Sequence, residues 1–289
     1  MTGNSKPYIT FTLKFRKMII FPKAKINLGL RIIRKRHDGY HDIETLFYPV
    51  NFRDALEFVV APGQANNDIL TVTGLDAGID PENNLVITTL KKLREEFSFP
   101  YLKIHLHKII PVGAGLGGGS SDAATLLKAV NRFYKLLIDD DRLKAIALGL
   151  GSDCPFFIDS VPALASGRGE ILKPVSPVLT GYYIVLLNPG TGIDTKEAFQ
   201  QCIPEYQANS LLQLIERPVS EWKDQILNDF ENFAFKKYPL IGEIKKELYN
   251  SGAFFSLMSG SGSTVYGLFS ERPVIPDEFK EFVIWEGVL

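Results

Sequence analysis

Apolar runs separated by turn residues predict several β-strands in the first 110 residues of the chain. Ile, Leu, Phe and Val are dense within each run, and side chains of these types favour strands. Asp38-Gly39 is a turn signal between two of the runs. Strands are predicted at residues 18–34, 41–60, 68–73 and 101–109.

Two longer stretches of this half are predicted to be helical. Pro81-Glu82-Asn83-Asn84 supplies start signals for a helix from about Asn84 to Phe97. Residues 123–148 are predicted to be helical throughout, because apolar side chains recur along them at helical spacing. These side chains are Leu126, Leu127, Val130, Phe133 and Leu137, then Leu143, Ile146 and Ala147.

The second half mixes predicted strands and helices without strict βαβ repetition, so the predicted fold class is α+β. Glycine and proline become frequent from about residue 165, which places a domain boundary there. The predicted division is an N-terminal extension at 1–17, one domain at 18–165 and a second at 166–289. Strands are predicted at 182–188, 253–258 and 263–269, and helices near 208–216 and 240–250.

Composition excludes some classes of function. The 32 basic and 33 acidic residues nearly cancel, so neither nucleic acid nor a membrane is an expected partner. The sequence contains no run of about 18 apolar residues, which is the length needed to span a membrane. Cys154 and Cys202 form no C-x-x-C pair and no signal peptide is recognisable, which predicts a cytoplasmic setting with no obligate protein partner evident.

The four histidines offer no spacing typical of a metal site. His105 and His107 could share one strand face, but Leu102, Ile104 and Leu106 define the opposite, buried face. A half-exposed strand accounts for them better than a metal does.

A glycine-rich segment between a predicted strand and a predicted helix is the strongest candidate for chemistry. Five glycines within seven residues leave backbone N–H groups free to converge on an anion, and a helix N-terminus adds its dipole. A flexible linker is the alternative, but linkers do not usually join a strand to a helix. The segment is therefore predicted to bind a nucleotide triphosphate, ATP, through Pro111, Val112, Gly113, Ala114, Gly115, Leu116, Gly117, Gly118, Gly119, Ser120 and Ser121.

Three well-known phosphate loops do not fit this segment. A Walker A loop requires a lysine before its Ser or Thr, and a protein kinase would also carry HRD and DFG motifs; neither feature is present. Gly113, Gly115 and Gly118 satisfy the dinucleotide fingerprint literally. That fingerprint needs a second strand with an acidic end, whereas residues 123–148 are predicted to be helical.

Three ordered motifs resemble those of the GHMP kinase superfamily. Pro111 to Ala123 matches its central motif, Pro22 to Leu28 its N-terminal motif, and Met258 to Val265 its C-terminal Gly/Ser motif. The resemblance implies an N-terminal domain that holds the loop, a ferredoxin-like C-terminal domain and an active site in the cleft between them. It also implies ATP as the phosphoryl donor, with Mg²⁺ expected and its ligands unknown.

Asp153 and Lys25 are the candidate catalytic residues. Asp153 is followed closely by Pro155, so its carboxylate could be a base or a helix N-cap. Lys25 stands in an apolar strand, where it could meet an anion or share an exposed face with Lys23 and Asn27. The resemblance favours catalysis: it aligns Asp153 with the family's base and Lys25 with the lysine that pairs with it.

Residues 36–47 resemble the signature of one branch of these kinases, whose substrate is a cytidine diphosphate-linked methylerythritol. The branch phosphorylates the 2-hydroxyl of that small molecule with ATP. The resemblance implies that Tyr40 and His41 bind cytosine, since a base needs an aromatic face and hydrogen-bonding groups. It places Asn27 near the acceptor.

Other functions remain open at this stage. Another GHMP kinase, such as a homoserine or mevalonate kinase, is one alternative, and a sensor with the same fold that binds nucleotide without turnover is another. Phe47 and Asp122 depart from the residues that the signature and the loop often carry. The resemblance also brings Asn83-Asn84 near adenine without deciding between the two residues.

Overall fold

β-Strands from both halves of the chain form three four-stranded sheets, with helices packed against them. The computed structural model describes residues 17–63, 65–75, 81–204 and 209–289, so nearly all of the predicted extension at 1–17 lies outside the described residues. The strands are β1 Lys17–Ile20, β2 Lys23–Lys35, β3 His41–Arg53, β4 Ala55–Val60, β5 Ile69–Gly74, β6 Leu102–Lys108, β7 Ala163–Ser166, β8 Ile171–Pro174, β9 Tyr183–Leu187, β10 Phe255–Met258, β11 Val265–Phe269 and β12 Val283–Val288. The helices are α1 Leu85–Glu96, α2 Gly118–Tyr134, α3 Asp140–Leu148, α4 Cys154–Asp159, α5 Thr195–Gln201, α6 Leu211–Ile215, α7 Glu231–Lys237, α8 Pro239–Asn250 and α9 Asp277–Lys280.

The first sheet delivers the chain to the glycine-rich loop. Its order is β1-β4-β6-β5, with β6 antiparallel to β4 and parallel to β5. Residues of β6 alternate between buried and exposed, so the buried face packs on the core formed with α1 and α2. His105 and His107 lie on the exposed face, where the Thr73 hydroxyl is 2.8 Å from His105 Nε2. The prediction of a half-exposed strand is confirmed.

The prediction that residues 123–148 are helical holds for α2 and α3 but not for the turn between them. Lys135 and Leu137 adopt positive φ angles of 53° and 59°, a conformation that a regular helix excludes. The Asn131 side chain fixes the turn by exchanging two hydrogen bonds with the Ile138 backbone, at 2.8 and 3.1 Å. Asp139 then caps α3 by accepting from the Arg142 N–H, so helical spacing did not reveal the new start.

The other two sheets share a hydrophobic core. β2 and β3 form a long antiparallel ribbon that continues through β7 to β8. The sheet of the second half has the order β10-β11-β9-β12, and α8 packs against β10 and β11. The strand predictions for the second half match β9, β10 and β11, and those for its helices match α6 and α8.

The mixed helices and sheets agree with the predicted α+β class. The proposed boundary between residues 165 and 166 falls within β7, which pairs with β3 of the first half, and the division into domains stays a prediction. No helix among the described residues is long and apolar enough to cross a membrane.

Candidate active site

A cleft of about 1200 Å³ lies between the two halves of the chain. Its walls come from β2, the turn before β3, the glycine-rich loop, the start of α4, the turn between β7 and β8, α5 and the Gly/Ser segment after β10. Motifs that are far apart in the sequence therefore face one cavity.

The glycine-rich loop forms one wall of the cleft and ends in α2. Gly113, Gly115 and Gly117 have φ angles of 68°, 76° and 69°, which only glycine adopts without strain. Nine of the eleven residues predicted to bind ATP line the cleft. The exceptions are Leu116 and Ser121, whose side chains are fully buried. The loop and the start of α2 together line the cavity, and a helix N-terminus leaves backbone N–H groups without partners inside the helix.

The Gly/Ser segment after β10 supports the back of this loop. A Cβ atom on Gly115 would lie 1.9 Å from the carbonyl oxygen of Ser259, whereas one on Gly113 would have no atom within 4 Å. The Thr264 N–H donates to the Ala114 carbonyl at 3.3 Å. The shape of the loop therefore depends on residues from the second half of the chain.

Alanine at Gly115 is expected to lower ATP affinity by at least about tenfold, equivalent to about 1.4 kcal/mol, and to lower the melting temperature. Gly113 and Gly115 both have a positive φ that is unfavourable for alanine. Only Gly115→Ala also forces the Ser259 backbone to move. Thermal denaturation and ATP titration of Gly115→Ala beside Gly113→Ala check this. Equal losses in the two variants would contradict the proposed contact.

Lys25 lies inside the cleft wall and not on an exposed face of β2. Its Nζ donates to Asn27 Oδ1 at 2.6 Å and to the Gly115 carbonyl at 2.9 Å, and it lies 3.6 Å from Asp153 Oδ2. Burial lowers the pKa of Lys25, and the charge of Asp153 opposes that effect. The Phe47 ring lies beneath the ammonium group, with its centre 5.1 Å from Nζ. This cation–π contact uses the face of the ring and would not require a tyrosine hydroxyl at position 47.

Asp153 occupies the N-cap position of α4, but its side chain makes no capping hydrogen bond. The carboxylate faces Lys25 instead, and its side chain is 35% exposed. A role as helix N-cap therefore does not account for the position of this carboxylate. Gly169, in the turn between β7 and β8, approaches the same carboxylate, since a Cβ there would lie 3.9 Å from Asp153 Oδ1. The carboxylate is accessible from the cleft and close to a buried cation.

Asn27 is held rigidly beside Lys25. Its Nδ2 donates to Thr45 Oγ1 at 2.8 Å, and the Thr45 hydroxyl donates to the Gly29 carbonyl at 2.6 Å. From the second half, Ser259 Oγ donates to the Gly115 carbonyl at 2.8 Å and accepts from the Asn27 N–H at 3.2 Å. Thr45 and Ser259 were not among the predicted site residues, although each lies within a recognised motif.

Tyr40 and His41 also line the cleft. Asp38 shapes the turn before them by pairing with Arg36, and it accepts from the Tyr40 N–H at 3.1 Å. Tyr40 is 54% exposed, and the Arg168 guanidinium lies 4.7 Å from the centre of its ring. An exposed aromatic face is therefore available to a ligand.

His41 is stacked on Phe199 of α5, with ring centres 5.0 Å apart and an interplanar angle of 15°. Burial lowers the pKa of His41, and the charge of Lys35 lowers it further, so the imidazole favours its neutral form. Sequence reasoning missed Phe199 and Arg168, because neither lies in the motifs that it recognised.

Asn83 and Asn84 line the cleft at the start of α1. Asn84 Oδ1 accepts from the Val86 N–H at 2.9 Å and so caps the helix. Because both residues face the cavity, the choice between them as an adenine contact stays open.

The sequence matches two family models, described as the GHMP kinases N terminal domain at residues 84–161 and the GHMP kinases C terminal at residues 209–282. The 4-diphosphocytidyl-2-C-methyl-D-erythritol kinase of Bacteroides fragilis is 50% identical over 89% of this chain and 94% of its own length. The enzyme of the same name from Parabacteroides distasonis is 47% identical, over 94% of this chain and all of its own length.

Solved structures agree with these matches. A crystal structure of 4-(cytidine 5'-diphospho)-2C-methyl-D-erythritol kinase superposes with a TM-score of 0.73 at 32% identity, over 87% of this chain and 90% of the other. Homoserine kinase from Cytophaga hutchinsonii superposes with a TM-score of 0.64 at 17% identity, over 91% of this chain and 88% of the other. At that identity the second likeness concerns the fold alone.

Proposed function

The chain belongs to the GHMP kinase family, among its 4-diphosphocytidyl-2-C-methyl-D-erythritol kinases, and from this premise we propose how its cleft works. Its reaction is the ATP-dependent phosphorylation of the 2-hydroxyl of that diphosphocytidyl alcohol. The products are the 2-phosphate and ADP, in the non-mevalonate pathway of isoprenoid biosynthesis.

The pairing of Lys25 with Asp153 is the single observation that carries the proposed mechanism. Asp153 accepts the proton of the acceptor hydroxyl as the oxygen attacks the γ-phosphorus, and the bond from that phosphorus to the β-phosphate oxygen breaks. Lys25, whose Nζ lies 3.6 Å from Asp153 Oδ2, stabilises the negative charge that develops on the attacking oxygen.

The glycine-rich loop, Pro111 to Ser121, holds the triphosphate of ATP. Its proposed contacts are backbone N–H groups and the Ser120 hydroxyl, since the Ser121 side chain is buried away from the cleft. The loop connects to the catalytic pair directly, because Lys25 Nζ donates to the Gly115 carbonyl at 2.9 Å. The phosphoryl donor and the base are thereby held in one geometry.

Tyr40 and His41 bind the cytosine, and Asn27 lies at the acceptor end of the substrate. The exposed face of Tyr40 supports stacking of the base, and the stacked His41 ring has a fixed orientation for hydrogen bonding. Asn27, held by Thr45 and Ser259, fixes the position of the Lys25 ammonium group.

Mg²⁺ is proposed only as the ion that accompanies ATP. The described residues contain no group of three or more His, Cys, Asp or Glu side chains suited to hold a metal ion. None of the steps above is routed through a metal ion. Phosphate oxygens are the ligands that Mg²⁺ uses when a protein supplies few.

Coupled measurement of ADP release tests the function most directly. The diphosphocytidyl alcohol, mevalonate and homoserine are offered separately with ATP, and we expect turnover with the first alone. Turnover of mevalonate or homoserine without the cytidine compound would support another GHMP kinase. ATP binding without turnover of any acceptor would support a sensor, which the retained Lys25 and Asp153 disfavour.

Tyr40→Ala is expected to raise KM for the diphosphocytidyl substrate by about 10- to 100-fold, since stacking of one base on an aromatic ring contributes about 1–3 kcal/mol. KM for ATP should change by less than about twofold, because Tyr40 is not among the residues proposed to hold ATP. Steady-state kinetics with each substrate varied in turn check this. Equal losses for both substrates would count against stacking.

We also propose that the protein works in the cytoplasm on a small-molecule substrate, as two domains divided near residues 165 and 166. The proposed cytoplasmic location rests on the low cysteine content, since the two cysteines of the chain, Cys154 and Cys202, are both free thiols. The absence of nucleic-acid, membrane and obligate protein partners stays a prediction from charge and composition.

A further inference from the structure

A buried cluster of three charged side chains lies beneath the glycine-rich loop. Lys108 ends β6, Asp54 follows β3, and Asp122 belongs to the second turn of α2. Lys108 Nζ donates to Asp122 Oδ2 at 2.8 Å and also to Asp54 Oδ2. All three residues are at least 97% buried, so water contributes little to balancing their charges.

The two carboxylates have different surroundings. Asp54 Oδ1 accepts from the Ile109 and Ile110 N–H groups at 2.6 and 2.9 Å, so with Lys108 on Oδ2 both of its oxygens have hydrogen-bond donors. Asp122 Oδ1, by contrast, is buried without a hydrogen-bond partner among the described residues. Lys108 and Asp54 are the charged groups that face Asp122.

The charges of this cluster do not balance when both carboxylates are ionised. One ammonium group faces two carboxylates, so the cluster carries one excess negative charge when both are ionised and none when Asp122 holds a proton. A proton on Asp122 removes that excess, and the ionised form is poorly stabilised because its Oδ1 receives no hydrogen bond. Desolvation by burial raises the pKa of Asp122 to about 7.

The cluster adjoins the ATP site. Lys108 and Asp122 both line the cleft, and a Cβ atom on Gly118, the first residue of α2, would lie 3.2 Å from Lys108 Nζ. Polyphosphate held by the loop would therefore bring further negative charge close to Asp122, where low polarisability strengthens repulsion.

We propose that ATP binding to this cleft is linked to the uptake of one proton from solvent by Asp122. The proposal rests on the proposed ATP site and makes Asp122 a positioning residue that adjusts nucleotide affinity through the charge beneath the loop. At low pH Asp122 is already protonated and ATP binds tightly. At high pH Asp122 is ionised, so binding must either take up a proton or overcome repulsion, and affinity falls.

The test is calorimetric titration of the full chain with ATP, without acceptor substrate, between pH 6 and pH 9. At pH 8, buffers with different ionisation enthalpies separate proton uptake from the heat of binding. The wild type is expected to take up a fraction of a proton and to lose about tenfold in affinity across the range if the bound nucleotide raises the pKa by one unit. Asp122→Asn, neutral and of the same shape, should show a flat profile after the contribution of ATP itself is subtracted.

Asp140→Asn is the matched control, since Asp140 is an exposed acid at the start of α3, and it should keep the wild-type proton uptake. Uptake that persists unchanged in Asp122→Asn would overturn the proposal. If Asp122→Asn does not fold, absence of uptake by the wild type at pH 8 overturns it equally. Failure of ATP to bind at any pH would instead contradict the proposed ATP site.

Discussion

Asp153→Asn is expected to lower kcat by about 10²- to 10⁴-fold, the usual contribution of a general base, while ATP still binds. The amide keeps the size of the carboxylate but cannot take the proton from the acceptor hydroxyl. Because the side chain makes no capping hydrogen bond to α4, the substitution should leave the helix intact. Single-turnover kinetics and ATP titration measure the two effects separately.

Asp159→Asn is the matched control for this variant. Asp159 ends the same helix, is exposed, and pairs with Lys144 at 2.7 Å outside the cleft. Its replacement should leave kcat within about twofold of the wild type, since an exposed ion pair contributes little. Turnover by Asp153→Asn within tenfold of the wild type would remove Asp153 from the role of base.

Lys25→Met has the second large expected effect, a fall in kcat of about 10²- to 10³-fold, as for the loss of one electrostatic contact to a transition state. Methionine fills a similar volume but supplies no charge to the attacking oxygen. ATP affinity should fall less, because the loop loses only the contact from Nζ to the Gly115 carbonyl. The ratio of the two losses, from kcat and from ATP titration, is the measurement.

Lys23→Met provides the comparison on the same strand. Lys23 is two residues from Lys25 but lies opposite Arg53 in the β2–β3 ribbon, and its pKa is lowered by burial and then by Arg53. The charged neighbour of Lys23 is thus another cation and not a carboxylate. Replacement of Lys23 should change kcat by less than about twofold. Similar losses in both variants would indicate a general effect of removing charge from β2.

Local patterns in the sequence predicted the parts of the site that depend on neighbouring residues. The strand, glycine-rich loop and helix follow one another along the chain, and their order is the basis for predicting a phosphate loop at Pro111 to Ser121. Motifs also identified Lys25 and Asp153, but composition left each with a structural alternative. In the structure the buried Lys25 side chain lies 3.6 Å from Asp153, and Asp153 makes no capping hydrogen bond. Neither structural alternative therefore describes these side chains.

Contacts between distant residues were beyond prediction from one sequence. Asn27 and Ser259 are 232 residues apart, and Lys108 and Asp54 are 54 apart. Hydrophobic periodicity indicates which face of an element is buried, but not which polar group the fold brings to it. The turn at Lys135 escaped for a related reason, since its positive φ interrupts a pattern that remains apolar at helical spacing.

The contact of Gly115 with Ser259 has a consequence for biosynthesis. The ribosome adds Gly115 144 residues before it adds Ser259, so the growing chain carries the glycine-rich loop without its support. If the loop holds ATP as proposed, nucleotide affinity is acquired late, when the Gly/Ser segment is added and packs against the loop. A shortened translation product that stops before residue 259 would possess every residue proposed to touch ATP and still lack the scaffold that shapes them.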